Sequence, residues 1–385
     1  MSRAKTKPRV LVAMSGGVDS SVAAYILCQA GYEVIGVTIE MWSPAVWEGR
    51  DMGCCSQGAV SDARRVAEML GIPHCVVNFR EQFARQVIDY FVEEYLRGRT
   101  PNPCVACNRY IKFALLLERA RALGADYLAT GHYARIGYAR ERKRYLLLRA
   151  SDLEKDQTYV LYTLTQDQLA RIMFPLGRLT KREVRKTARE AGLPVAEKPE
   201  SQEICFIPQG DYRWFISRYV AERKGRLEPG PILDRQGRVL GRHRGLAYYT
   251  IGQRRGLGLA SGKRLYVVEL DPGRNAVVVG EEPDLLNRRL ISSGNNIIAW
   301  ESLERRLEVE AKIRYTSAAA PAFIEPRPAG RVLVEFAEPQ RAITPGQAVV
   351  FYEGEVVVGG GTIEKVLPGH PDTGVNKFPH PPTFT

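Results

Sequence analysis

Long apolar runs are missing from this sequence. None of its 385 residues falls in a run approaching the ~18 that a membrane-spanning helix needs, so no membrane partner is expected. The basic start, MSRAKTKPRV, lacks the apolar stretch of a signal peptide, and the expectation is a cytoplasmic chain. In a reducing compartment disulfides are poor scaffolding, so the seven cysteines are expected to be catalytic, metal-binding or buried. No internal repeat is visible. Negative charge is also scarce: 43 acidic against 55 basic residues leave a net charge of +12, carried mostly by arginine, which suits a polyanionic partner.

Residues 9–20, RVLVAMSGGVDS, read as a buried strand running into a turn that opens a helix. Gly16 and Gly17 lack Cβ and can turn backbone N–H groups towards an anion, with Asp19 or Ser20 expected to cap a helix whose dipole favours the same anion. No lysine follows the glycines, which excludes the G-x-x-x-x-G-K-S/T loop, and the G-x-G-x-x-G dinucleotide fingerprint is absent too. The pattern S-G-G-x-D-S resembles the pyrophosphate loop of the ATP pyrophosphatases, which adenylate a substrate oxygen and release pyrophosphate.

Helical spacing over 20–30, 61–70, 81–97 and 108–123 alternates with apolar runs at 33–39, 74–78 and 126–130. That alternation predicts an α/β fold with a doubly wound parallel sheet and ligands at the carboxyl ends of its strands. Cys28, His74 and Cys75 read as structural, whereas His132, just past the last strand, could touch a nucleotide or satisfy backbone. Thr180 and Glu183 form a capping box ahead of a cationic helix over 181–191. The alternation stops past Cys205, so the expected domains are a catalytic one over 1–208, a small central one over 209–290 and a C-terminal β-barrel over 291–370. Barrel strands are expected at 307–314, 331–336, 348–352 and 355–358, and the Pro-rich residues 371–385 read as a mobile tail.

Cys104 and Cys107 stand three apart ahead of the helix expected at 108, where the dipole lowers a thiol pKa. Cys205 lies in a connecting segment. Two separate thiol loops suit redox or sulfur chemistry: a persulfide on one is attacked by the other, releasing sulfide and leaving a disulfide. Zinc is the rival reading, with three of four ligands evident. The adjacent Cys54 and Cys55 are poor disulfide partners.

The segments SGGVDSSVAA, GRTPNPC, CNRYIKF, ADYLATGHYAR, KDQTYVLY, ICFIP, TIGQRRGLG and TPGQAVVFYEGEVVVGGG together resemble the bacterial tRNA-specific 2-thiouridylases, in order from residue 9 to residue 367. The resemblance implies an adenine nucleotide α-hydrolase-like domain and ATP-dependent replacement of oxygen by sulfur at C2 of the wobble uridine, position 34, in the tRNA anticodon stem-loop. It places ATP on Ala13, Met14, Ser15, Gly16, Gly17, Val18, Asp19 and Ser20, with Ile39 and Gly131, and Mg²⁺ near Asp19. The nucleophile falls on Cys107 and the persulfide on Cys205, loaded by a donor such as a cysteine desulfurase or sulfur relay protein. Contacts to the target base fall on Asn102, Pro103 and Cys104, and contacts to tRNA on Lys155, Asp156, Gln157, Arg314 and Tyr315. Many family members carry Asp where this chain has Cys104. Cys104, Cys107 and Cys205 could therefore instead hold a [4Fe-4S] cluster. Two rival functions remain: a pyrophosphate-loop ligase acting on a small metabolite, and an RNA-binding protein whose loop is only structural.

Overall fold

The computed structural model describes residues 7–41, 57–200, 204–207, 210–223, 227–260 and 262–367. Cys54, Cys55 and the stretch 371–385 lie outside them. The N-terminal part is built on β1 (Arg9–Ala13), β2 (Glu33–Glu40), β3 (His74–Asn78) and β4 (Tyr127–Ala129). After a hairpin of β5 (Arg135–Ala139) and β6 (Arg144–Leu148), β7 (Ile172–Met173) completes a sheet of order β3-β2-β1-β4-β7. Its pairings are all parallel, as the alternation of strand and helix predicts.

A parallel sheet must be covered on both faces, and the period-two alternation of β1 shows how. Val10 and Val12 pack on one face with Val22 of helix α1 (Val18–Gln29) and Val66 of α2 (Gln57–Leu70). Leu11 packs on the other with Phe83, Phe91 and Ile111. Burying each such side chain stabilises by roughly 1.5–3 kcal/mol. The strand order reverses between β1 and β4, so a crevice opens beyond their carboxyl ends, where such sheets take ligands.

Two further sheets follow. Four strands, in the order Tyr266–Asp271, Ala276–Gly280, Gly230–Leu233 and Val239–His243, follow the helix Tyr212–Arg223. The C-terminal strands close into a barrel because Leu286–Ile297 pairs with both Arg331–Arg341 and Val356–Leu367. Two barrel strands, Leu286–Ile297 and Ala320–Arg327, were not expected from sequence. The first is polar (LNRRLISSGNNI), and Pro321 and Pro326 disguise the second as a loop. The hairpin of β5 and β6 extends the barrel's sheet through the pairing of Leu148 with Val356. Among the described residues no helix is long and apolar enough to cross a membrane.

Candidate functional site

Past β1 the chain turns through Met14, Ser15, Gly16 and Gly17 into α1. Gly16 has φ of +69°, and a Cβ there would stand 2.2 Å from the Ala59 carbonyl oxygen, so the loop lies against α2 only because this residue is glycine. Gly17 departs from expectation: its φ is −101°, and it is itself the N-cap. Asp19 and Ser20 are therefore not caps, because the helix begins at Val18, ahead of both. Ser20 instead closes the loop from within. Ser15 N–H donates to Ser20 Oγ at 3.1 Å, and Ser20 Oγ donates to the Gly17 carbonyl at 3.2 Å. With no side-chain cap, the first N–H groups of α1 are left for an anion.

The thiol-bearing helix starts earlier than the sequence reading placed it. Asn102 is its N-cap, accepting at Oδ1 from Cys104 N–H (3.1 Å) and Val105 N–H (3.3 Å), with Pro103 as the first helical residue. Pro103–Ala106 passes into a π-helical stretch, Cys107–Leu115, and then Leu116–Ala122. The Asn-Pro pair was the overlooked signal, since proline is preorganised for a first helical position. Cys104 is exposed and Cys107 buried, its Sγ 4.0 Å from Met41 Sδ. Cys205 is half-buried and neighbours Phe206, whose ring meets Phe83, Phe91 and Phe215 edge-on at centroid separations of 5.7, 5.4 and 5.2 Å. That aromatic cluster pins the Cys205 segment to the α/β core.

These elements meet at one cavity of about 300 Å³ beyond the switch point. Ala13, Met14, Ser15, Asp19, Ser20, Ile39 and Gly131 line it, together with Pro103, Cys104, Cys107, Gln157 and Cys205. His132, for which the sequence left a nucleotide contact and a structural role open, lines it as well, together with Thr38 and Lys112, which were not singled out from sequence. Gly16, Gly17 and Val18 are not among the lining residues: the glycines shape the turn and Val18 is buried in the core. Gly131 has a visible reason to be glycine, since a Cβ would stand 2.8 Å from Asp19 C and Ser20 N.

Two lysines distant in sequence surround the loop. Lys181 Nζ donates to both Asp19 carboxylate oxygens, at 2.7 and 2.8 Å, and Tyr133 OH donates to Asp19 Oδ1 at 2.8 Å. Lys198 Nζ donates to the Gly16 carbonyl at 2.9 Å and to Asp62 Oδ2 at 2.6 Å. Burial pushes the Glu200 carboxyl up, but hydrogen bonds and charge from Lys155 and Lys181 outweigh it and hold the pKa below its ordinary value. Burial, followed by the charge of Asp19, pushes the Tyr133 phenol far up, so it remains a donor. His132 is buried beside Phe113 and Phe174, with Nδ1 2.7 Å from Thr130 Oγ1. Burial first and the charge of Lys112 second press its pKa well down, so the ring faces the cavity uncharged.

The remaining expected contacts lie outside the lining. Asp156 accepts from Ala150 N–H at 2.9 Å, Lys155 pairs with Glu200, and Arg314 donates to the Ala342 carbonyl. Tyr315 is raised by burial first and then by the charges of Asp156, Cys104 and Glu200, which places this barrel residue near the thiol helix. In the cationic helix Lys181–Glu190, Lys181, Arg185, Lys186 and Arg189 all pair with acidic residues. Among the described residues no group of three His, Cys, Asp or Glu side chains is placed to hold a metal ion. Cys104, Cys107 and Cys205 share the cavity without forming such a group, so as placed they do not fit a [4Fe-4S] cluster.

A parallel sheet with an S-G-G-x-D-S loop at its switch point defines a nucleotide domain of the pyrophosphate-loop class, here joined to a small central domain and a β-barrel. Residues 8–209 match the family described as tRNA methyl transferase HUP domain, 213–281 its PRC-barrel domain, and 288–363 the aminomethyltransferase beta-barrel domain. A protein of Moorella thermoacetica named tRNA-specific 2-thiouridylase MnmA is 59% identical over 357 residues, covering 92% of this chain and 99% of its own. One of the same name from Pelotomaculum thermopropionicum is 57% identical over 361 residues, covering 93% and 98%. The chain belongs to the tRNA-specific 2-thiouridylase family.

Proposed function

We propose that this protein is an ATP-dependent tRNA sulfurtransferase acting in the cytoplasm, which replaces the C2 oxygen of the wobble uridine by sulfur. One observation carries the reading: the glycine loop, through Ser15, Asp19 and Ser20, and three thiols from two distant segments open onto a single cavity. A stacked anticodon base cannot reach such a cavity, so the uridine is turned out of its loop at a cost of a few kcal/mol. Contacts between basic side chains and the RNA backbone offset that cost.

In the first step the uridine O2 attacks the α-phosphorus of ATP, the new O–P bond forms, and pyrophosphate leaves into the glycine loop. The N–H groups at the start of α1 stabilise the departing charge. Asp19 is the one carboxylate among the lining residues, and on exchanging its Lys181 bond it would hold a Mg²⁺ bound mostly by phosphate and water, which would neutralise the pyrophosphate. In the second step the Cys107 thiolate attacks Cys205 Sγ of the Cys205 persulfide. A Cys107–Cys205 disulfide forms, hydrosulfide is released and attacks C2, and the oxygen leaves with AMP. A persulfide donor reloads the site after an external dithiol reduces the disulfide.

Nucleoside mass spectrometry of tRNA incubated with protein, ATP and a persulfide donor tests the reading: 2-thiouridine should form, and pyrophosphate release should depend on tRNA. Cys205→Ser should abolish thiouridine while leaving pyrophosphate release measurable. Full thiolation by Cys205→Ser would remove the persulfide assignment, and tRNA binding without thiouridine in the unsubstituted protein would leave only an RNA-binding role.

A further inference from the structure

The segment TPGQ at 344–347 is tied into the barrel through Ile363, and it also contacts the stretch that leads into the thiol helix. Thr100 N–H donates to the Pro345 carbonyl at 2.9 Å. Gln347 Nε2 donates back to the Thr100 carbonyl at 3.0 Å and the Pro101 carbonyl at 3.4 Å. Gly346, at φ +94°, lies so close that a Cβ would stand 2.8 Å from Thr100 N and 3.0 Å from its carbonyl carbon and oxygen. Arg99 completes the joint. Its Nε donates to the buried Glu94 at 2.7 Å, while the two terminal nitrogens reach the Ile363 and Glu364 carbonyls, each at 3.3 Å. The next residue after Pro101 is Asn102, whose side chain caps the helix bearing Cys104 and Cys107.

We propose that the barrel turn at 344–347, acting through Gln347, is a positioning element for the thiol helix, so that movement of the barrel is transmitted to Cys104 and Cys107. The physical basis is backbone accounting. The Thr100 and Pro101 carbonyls have their side-chain donor in Gln347, and the first N–H groups of a helix have no partner within it, so the lead-in segment sets where they lie. A barrel held by RNA then fixes where the first turn of that helix begins, and with it the site where sulfur is handed on. In its RNA-linked part this rests on the proposed function, whereas the mechanical coupling does not.

Hydrogen exchange of the full-length protein separates the two. Gln347→Ala should accelerate exchange of the Cys104 and Val105 amides about tenfold, with α1 amides unchanged as the internal reference. Gln347→Glu, which sets a carboxylate against two carbonyl oxygens, should accelerate them further. In the thiolation assay Gln347→Ala should lower kcat about tenfold with KM for tRNA within about twofold, since the substitution removes no side chain assigned to tRNA. Unchanged exchange at Cys104 and Val105 in both variants overturns the proposal, as does equal acceleration in α1, which would mean general loosening. Accelerated local exchange in a protein that forms no 2-thiouridine would sustain the coupling and remove the proposed function instead.

Discussion

Gly131→Ala tests whether the end of β4 and the start of α1 are set against each other as tightly as the coordinates place them. An alanine Cβ would stand 2.8 Å from Asp19 C and Ser20 N and 3.1 Å from Asp19 Cβ, where ordinary contact begins at 3.4 Å. The neighbours are backbone, with no flexible side-chain end to swing aside, so the two elements must part by about 0.6 Å. Overpacking of this kind costs about 1–3 kcal/mol. At roughly 2–4 °C per kcal/mol for a domain of this size, Tm should fall by about 2–12 °C. The same displacement shifts Asp19 and Ser20 at the loop. A misplacement of 1 Å can cost about a hundredfold in rate, so tRNA-dependent pyrophosphate release at saturating ATP should drop about tenfold. Gly262→Ala, with nothing within 4 Å of its Cβ, is the control and should change neither quantity. Calorimetry and pyrophosphate release would refute the reasoning if Gly131→Ala matched the unsubstituted protein in both, or if Gly262→Ala lost as much.

Lys181→Met leaves Asp19 with Tyr133 alone and takes one partner from Glu200. Because the Lys181 and Asp19 side chains are 12% and 32% exposed, the loss should be about 1–3 kcal/mol by urea unfolding, less than the 3–5 of a fully buried pair. Pyrophosphate release should fall with it, and an unchanged denaturation midpoint would show that the lysine contributes nothing to the loop. Burial holds the folded-state pKa of His74, His132 and His243 below their ordinary value, so the unfolded chain takes up protons first as pH falls. Their contribution to stability is thus full above about pH 6.5 and declines below it. Tm measured from about pH 7.5 to about pH 5.5 should decline, and His132→Asn should flatten that slope; equal slopes in the two proteins would count against a neutral buried ring.

The nucleotide half was legible because its signals are local. Strand period, the glycines of the loop and the capping box at Thr180 each sit within a few residues of what they determine, and the parallel pairing of the sheet follows from chain alternation. The error at Gly17 was also local: Gly-Gly permits a left-handed turn without saying which glycine takes it, and only the approach to Ala59 decides for Gly16. The surround of the loop could not be read. Lys181 and Lys198 reach Asp19 and Gly16 from 162 and 182 residues away, and no spacing rule connects them. The neighbours of Lys181 in sequence mark a cationic helix, which reads as a solvated face, whereas the fold turns Lys181 inward. In the barrel, Pro321 and Pro326 carry the appearance of a loop into a strand whose closure depends on partners elsewhere in the chain.

The hairpin of β5 and β6 has its sheet partner at Val356, near the other end of the chain. During synthesis the ribosome must add about 200 further residues before that partner emerges, on the order of 10–40 s at ordinary elongation rates. Throughout that interval Gln166 covers the Tyr145 end of β6, whereas the Leu148 end lacks its strand partner, the kind of open edge on which nascent chains stick to one another. The parallel sheet is complete once Ile172–Met173 is made, but the hairpin joins its own sheet only when Val356 arrives, and a fragment ending before residue 356 would lack that junction.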